Sequence, residues 1–212
     1  MSHIITIFAT TMTASIEIKV LDKIKNLKKG ELFFVESFLS VSNAKSVNKA
    51  LERLVDKNEI VRVATGIYTR PKKSKLFGNI TPTVEEIATA IAKRDKARIV
   101  PTGSYALNAL GLSTQVPLKA VYLTDGAACK INLGKRTILF KKTTPKNLSA
   151  KGLISKLVIQ ALKAIGKDNI KPEEEKKILE LLQQENPEHL KHDISLAPEW
   201  IRIIMRKTYP NE

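Results

Sequence analysis

The sequence predicts an α+β chain in two parts: an N-terminal module of helices ending in a β-hairpin, and a larger C-terminal domain with a small antiparallel sheet covered by helices. Three observations predict it. Residues 42–70, SNAKSVNKALERLVDKNEIVRVATGIYTR, pass from apolar residues at helical spacing (Val47, Ala50, Leu51, Leu54, Val55) to two β-rich runs joined by Ala64-Thr65-Gly66. Pro71-Lys72-Lys73-Ser74-Lys75 then forms a basic, proline-led connection, which sets the domains at 1–75 and 76–212. Beyond it, residues 119–124, 127–133 and 136–142 run at strand length, separated by the turn dipeptides Asp125-Gly126 and Gly134-Lys135.

In the first part, Ile16, Val20, Leu21, Ile24 and Leu27 recur on one helical face, and Gly30 follows the basic turn of Lys28 and Lys29. A brief second helix is expected near residues 35–39. Ser42 is expected to cap the third helix, and Asn58 to close it before the strands 59–63 and 67–70. Three helices and a two-stranded wing make a winged helix-turn-helix.

In the second part, Thr83 with Glu86 spells a capping box for a helix ending near Arg94. A strand at 97–100 and a small-residue helix at 104–110, stopped by Gly111, precede the three strand runs, which are read as an antiparallel meander. Helices then follow: one from Ser149 to a stop at Gly166, one opened by Pro172, and one each after Pro187 and Pro198. Trp200, Ile201, Ile203, Ile204 and Met205 read as the anchor of the last helix or as a docking surface.

Composition bounds the function. Lys and Arg number 36 against 21 Asp and Glu, a formal charge of +15 that argues for a polyanionic partner, the plain alternative being a basic but inert surface. Cys129 is alone, so no intrachain disulfide is possible and a reducing, cytoplasmic setting is expected. The opening MSHIITIFATTMTAS makes a poor signal peptide, and no apolar run reaches bilayer-spanning length.

With Val47 to Val55 facing a core, the third helix turns Lys45, Asn48, Lys49 and Glu52 outward, with Ser46 and Arg53 flanking. Its N-terminal half, Asn43, Lys45, Ser46, Asn48 and Lys49, is where such a helix meets a major groove. Asn48 suits adenine, lysines suit phosphates, and Arg62, Thr65 and Arg70 on the wing reach an adjacent phosphate or the minor groove. Glu52 opposes tight phosphate contact, and winged helices also mediate protein contacts. One module reads few base pairs, so a monomer or weak dimer on a repeated double-stranded operator is expected.

Residues 102–117, TGSYALNALGLSTQVP, with KAVYLTDGA ahead of two strands, GIYTRP at 66–71 and Gly134-Lys135-Arg136-Thr137-Ile138, give a pattern that resembles the AbiEi-type antitoxins of bacterial type IV toxin–antitoxin systems, which act in abortive infection against phage. The resemblance covers residues 16–148, and the C-terminal helices loosely. It implies a winged helix that represses its own operon, and a larger domain that neutralises a nucleotidyltransferase toxin without needing a stable complex. Two other readings stand beside it: a winged-helix regulator with a ligand-sensing second domain, and an RNA-binding protein.

From Gly126 to Lys167 there is no acidic residue, yet Lys130, Lys135, Arg136, Lys141, Lys142 and Lys146 fall there, followed by Lys151, Lys156, Lys163 and Lys167. These predict a second positive surface suited to RNA or a nucleotide, or a solvated face that aids solubility.

No enzyme is expected. Thr102-Gly103-Ser104 with Asp125 faintly resembles a nucleotidyltransferase pattern, but two-metal chemistry needs paired carboxylates and Asp125 stands alone in a turn. His189, His192 and Asp193 are read as surface or helix-capping residues and not as metal ligands, and Cys129 as a small strand hydrophobe; no metal or cofactor is expected.

Overall fold

A computed structural model of the protein describes residues 15–74 and 78–209, which divide into two compact units between Ala90 and Ile91. The opening segment read above as a poor signal peptide lies largely outside the described residues, as does the expected boundary at residue 75. Mixed α+β architecture with small sheets is what the chain adopts. Among the described residues no helix is long and apolar enough to cross a membrane.

In the first unit, helix α1 (15–25) is followed by strand β1 (Leu32–Phe34), a 3-10 turn (Val35–Phe38), helix α2 (Ala44–Asp56) and strands β2 (Val61–Ala64) and β3 (Ile67–Thr69). The sheet is three-stranded, ordered β1-β3-β2 and antiparallel throughout, where the sequence led us to expect two strands. The run Leu32 to Leu39 is apolar enough for either element, and pairing of Phe33 with Tyr68 across β1 and β3 decides for a strand in its first half. Val20, Ile24, Phe33, Phe38, Val47, Leu51, Leu54, Ile60 and Tyr68 form the core, with Phe33 edge-on to Phe38 and stacked near Tyr68.

The cap of α2 is Asn43, not Ser42: the Asn43 side-chain oxygen Oδ1 accepts from the Ser46 backbone N–H at 3.0 Å. Asn58 takes φ +58 just beyond α2, and Gly66 takes φ +73 in the β2–β3 turn, where a side chain would be strained. The connection after Pro71 is not irregular. Strands β4 (Lys72–Ser74) and β5 (Gly78–Ile80) pair antiparallel. Helix α3 (Val84–Arg94) begins with the expected capping box: Glu86 N–H donates to Thr83 Oγ1 at 3.1 Å and Thr83 N–H to Glu86 Oε2 at 2.7 Å.

In the second unit, strand β6 (Ile99–Thr102) and helix α4 (Ser104–Ala109) lead to β7 (Lys119–Thr124), β8 (Cys129–Leu133) and β9 (Arg136–Lys142). The expected meander is corrected: the order is β6-β7-β9-β8, and β9 lies parallel to β7. Burial explains the insertion. Strand β9 carries Ile138 and Phe140, both buried, with Phe140 5.8 Å from the Tyr122 ring, whereas β8 exposes Lys130 and Asn132 and suits an edge. Asp125-Gly126 is accordingly no hairpin turn; Asp125 accepts from Arg98 N–H at 2.7 Å and Arg98 Nε at 2.8 Å.

A 3-10 turn (Pro145–Leu148) precedes α5 (Leu153–Ile165), followed by α6 (Pro172–Leu182), α7 (Pro187–Leu196) and α8 (Glu199–Arg206). Ser149 does not open α5. Its hydroxyl donates to the Pro145 carbonyl, and the helix starts four residues later, after Gly152. Val158, Leu162, Ile178, Leu182, Leu190, Ile201 and Met205 fill the core among these helices, with Trp200 packed against it, so this face of α8 is an anchor, while Ile203 is left exposed.

Asp193, on α7, is buried and holds the start of α5. It accepts from the backbone N–H groups of Lys151 and Gly152 at 2.8 Å each, from the Ser155 hydroxyl, and from His192 Nδ1 at 2.7 Å. Glu185 supplies a second carboxylate to the same helix start, taking the Ile154 N–H at 2.7 Å.

Candidate functional site

Helix α2 buries Val47, Ala50, Leu51 and Leu54, and the geometry of a helix then dictates what its other side presents. Lys45 and Lys49 lie one turn apart near the middle of the exposed face. Asn48 flanks them on one side, half-buried, and Ser46 on the other. Lys45, Asn48 and Lys49 make no side-chain hydrogen bond or ion pair among the described residues. The next turns carry Glu52 and Asp56, so positive charge is confined to the N-terminal half of this face. Lys45, Ser46, Lys49 and Arg53 also share a shallow cleft with Ile16 of α1.

Three of the expected contact residues are occupied elsewhere. Asn43 spends its side-chain oxygen on the helix cap. Arg53 sits 3.9 Å from Glu17, which also pairs with Lys57, so a phosphate at Arg53 would compete with a carboxylate of α1. The Arg70 guanidinium is turned inward: Nη1 donates to the carbonyls of Lys25 and Leu27, both at 2.7 Å, and closes the C-terminal end of α1. Arg70 is thus corrected from a surface contact to a cap. Arg62 is exposed on β2 opposite Tyr68, and Thr65 is exposed at the hairpin tip.

In the second unit, Lys130, Lys135, Arg136, Lys141, Lys142 and Lys146 are all exposed and make no ion pair among the described residues. They are not one stripe. Lys130 pairs in register with Leu139, which places Lys130 and Lys141 on the sheet face opposite Ile138 and Phe140; Arg136 and Lys142 have the other parity at the two ends of β9, and Lys135 is in the β8–β9 turn. Lys119, overlooked in the sequence, pairs with Thr137 and shares the face of Lys141. Lys146 belongs instead to the 3-10 turn, where Asn147, Lys156, Ile159, Gln160 and Lys163 gather with it around a cleft. The signal for that cluster was available as Lys156, Gln160 and Lys163 at helical offsets.

Burial pushes the Cys129 thiol up, with Asp95 adding to the effect, so a thiolate is disfavoured. The Asp125 carboxyl is held below the usual range by its side-chain bond to Arg98, and it is fully engaged there. His192 and Asp193 form a helix-capping pair, and among the described residues no group of His, Cys, Asp and Glu is arranged to hold a metal ion.

A comparison with curated proteins finds no match. A family model described as a family of unknown function, DUF6088, matches residues 19–190, which takes in α2, both β-rich regions and the helices through all of α6 and the start of α7. That span exceeds half of the chain, and the protein belongs to the DUF6088 family.

Proposed function

We propose that the protein is a DNA-binding antitoxin: its first unit is a winged helix that represses its own operon, and its second unit neutralises a nucleotidyltransferase toxin. The observation that carries the DNA half is the outer face of α2, where Lys45, Asn48 and Lys49 make no side-chain hydrogen bond or ion pair among the described residues, on a helix whose opposite side is locked by Val47, Leu51 and Leu54. An amide flanked by two ammonium groups matches base reading with phosphate positioning. The order helix, strand, short helical turn, helix, hairpin supports the winged-helix reading, with Arg62 and Thr65 on the hairpin as the wing. Asn43, Arg53 and Arg70 drop out of the contact surface or contribute weakly.

The antitoxin half rests on the resemblance of residues 102–117 and 119–138 to AbiEi-type antitoxins, with the exposed positive residues of β8 and β9 as the surface for nucleic acid or nucleotide. Footprinting of the protein on the DNA upstream of its gene tests the first half: a protected, discrete site supports it, and uniform weak binding to any duplex refutes it. Co-expression with the product of the neighbouring gene tests the second. Restored growth supports antitoxicity, and toxicity undiminished by a folded protein refutes it.

A further inference from the structure

The cleft between the 3-10 turn at Pro145–Leu148 and α5 has the makings of a built anion site. Lys156, Ile159, Gln160 and Lys163 fall at offsets of three, four and seven, so they form one face of α5, and Lys146, Asn147, Ala150 and Leu196 supply the remaining walls. Gln160 is 4 % exposed, yet its carboxamide has no hydrogen-bond partner among the described residues and faces the cleft. That amide is therefore free to donate to a group that enters the cleft.

The charges around it are equally unmatched. Lys146, Lys156 and Lys163 form no ion pair among the described residues. Lys163 instead reaches the Asn147 side-chain oxygen at 3.4 Å, and that amide is fixed by donating to Thr143 Oγ1 at 2.8 Å. Burial, with the Lys146 ammonium adding to it, holds the Lys163 ammonium below the usual lysine range. Two cations that disfavour each other, with no carboxylate among the described residues that line the cleft, are relieved by a multiply charged anion.

We propose that this cleft binds a phosphate group, with Lys146, Lys156 and Lys163 neutralising it and the Gln160 amide donating to one of its oxygens. The walled space, about 20 Å³, admits one phosphate oxygen and leaves the rest of the group, with any ester substituent, at the mouth among the lysines. A free phosphate ion and the phosphate of a nucleotide share this chemistry. The inference is independent of α2 reading a duplex, and it narrows the second basic surface to one walled place.

Calorimetric titration of the full chain with inorganic phosphate and, separately, with a nucleoside triphosphate tests it. The expected result is saturable one-to-one binding to at least one probe, weakened at least tenfold in Lys156→Gln/Lys163→Gln and in Gln160→Leu, and by less than threefold in Lys130→Gln/Lys141→Gln. Saturation by phosphate alone identifies the ion, and tighter binding of the nucleotide identifies the ester. Circular dichroism establishes that each variant is folded, and the milder Lys163→Gln alone serves if the double variant is not. Absence of saturable binding by both probes overturns the proposal, as does equal weakening by the cleft and the β8–β9 variants, which would mean diffuse attraction to the basic surface as a whole.

Discussion

Replacing Asp193 by alanine should destabilise the second unit more than any surface change, because this carboxylate is fully buried and serves four donors at once. Its removal strands the N–H groups of Lys151 and Gly152 and the Ser155 hydroxyl at the start of α5. Losing one member of a buried charged network costs about 3–5 kcal/mol. At roughly 3 °C per kcal/mol for a chain of this size, the melting temperature falls by about 10 °C. Asp193→Asn keeps one acceptor but loses the charge, and a loss of about 1–3 kcal/mol is expected.

Acid gives an independent reading of the same group. Burial alone would push the Asp193 carboxyl up, but the bonds from Ser155, His192, Lys151 and Gly152 outweigh it and hold the group below the usual carboxylate range. A folded-state pKa below the unfolded value of about 3.9 means stability that is present above that value and lost as pH falls through the folded pKa. Asp193→Asn has nothing to protonate and should flatten that acid limb. Urea unfolding followed by circular dichroism between neutral pH and strong acid is the assay. A parent and an Asp193→Ala variant within about 1 kcal/mol of each other would refute the capping role.

Three further outcomes are expected. Asn43→Ala removes the cap of α2 and should lower stability by about 1 kcal/mol, with Asn43→Asp retaining most of it, as urea midpoints will show. Arg70→Ala releases the Lys25 and Leu27 carbonyls and should cost about 1–3 kcal/mol in thermal unfolding while leaving the salt dependence of duplex binding unchanged; a reduced salt dependence would return Arg70 to the contact surface. Cys129, held protonated by burial, should react with a thiol reagent along a pH profile displaced above that of a free cysteine peptide, whose pKa is about 8.5; a midpoint at or below the peptide's would contradict its inert setting.

Local signals in this chain were legible wherever chemistry and geometry lie within one turn. The Thr83 and Glu86 capping box, the stop of α5 at Gly166, and the buried stripe of α2 can all be read from neighbouring residues. What depends on partners far along the chain was hidden. The apolar run at Leu32 becomes a strand because β3 lies beside it, and β9 enters the sheet centre because Ile138 and Phe140 need cover on both sides. The same holds for the candidate site. Lys45, Asn48 and Lys49 follow from periodicity, but the capture of Arg70 by α1, the pairing of Arg53 with Glu17, and the meeting of Lys146 with the α5 lysines are long-range events.

The account turns on the outer face of α2, and salt-dependent affinity for the upstream duplex tests it most directly. Parent and a Lys45→Ala/Asn48→Ala/Lys49→Ala variant would be titrated across a salt series. Loss of two phosphate contacts should reduce the slope of log affinity against log salt by about 2, since each contributes about 0.9. Loss of Asn48 should also remove about 1–3 kcal/mol of preference for the protected site over random duplex. An unchanged slope with unchanged preference would contradict the assignment of this helix to DNA.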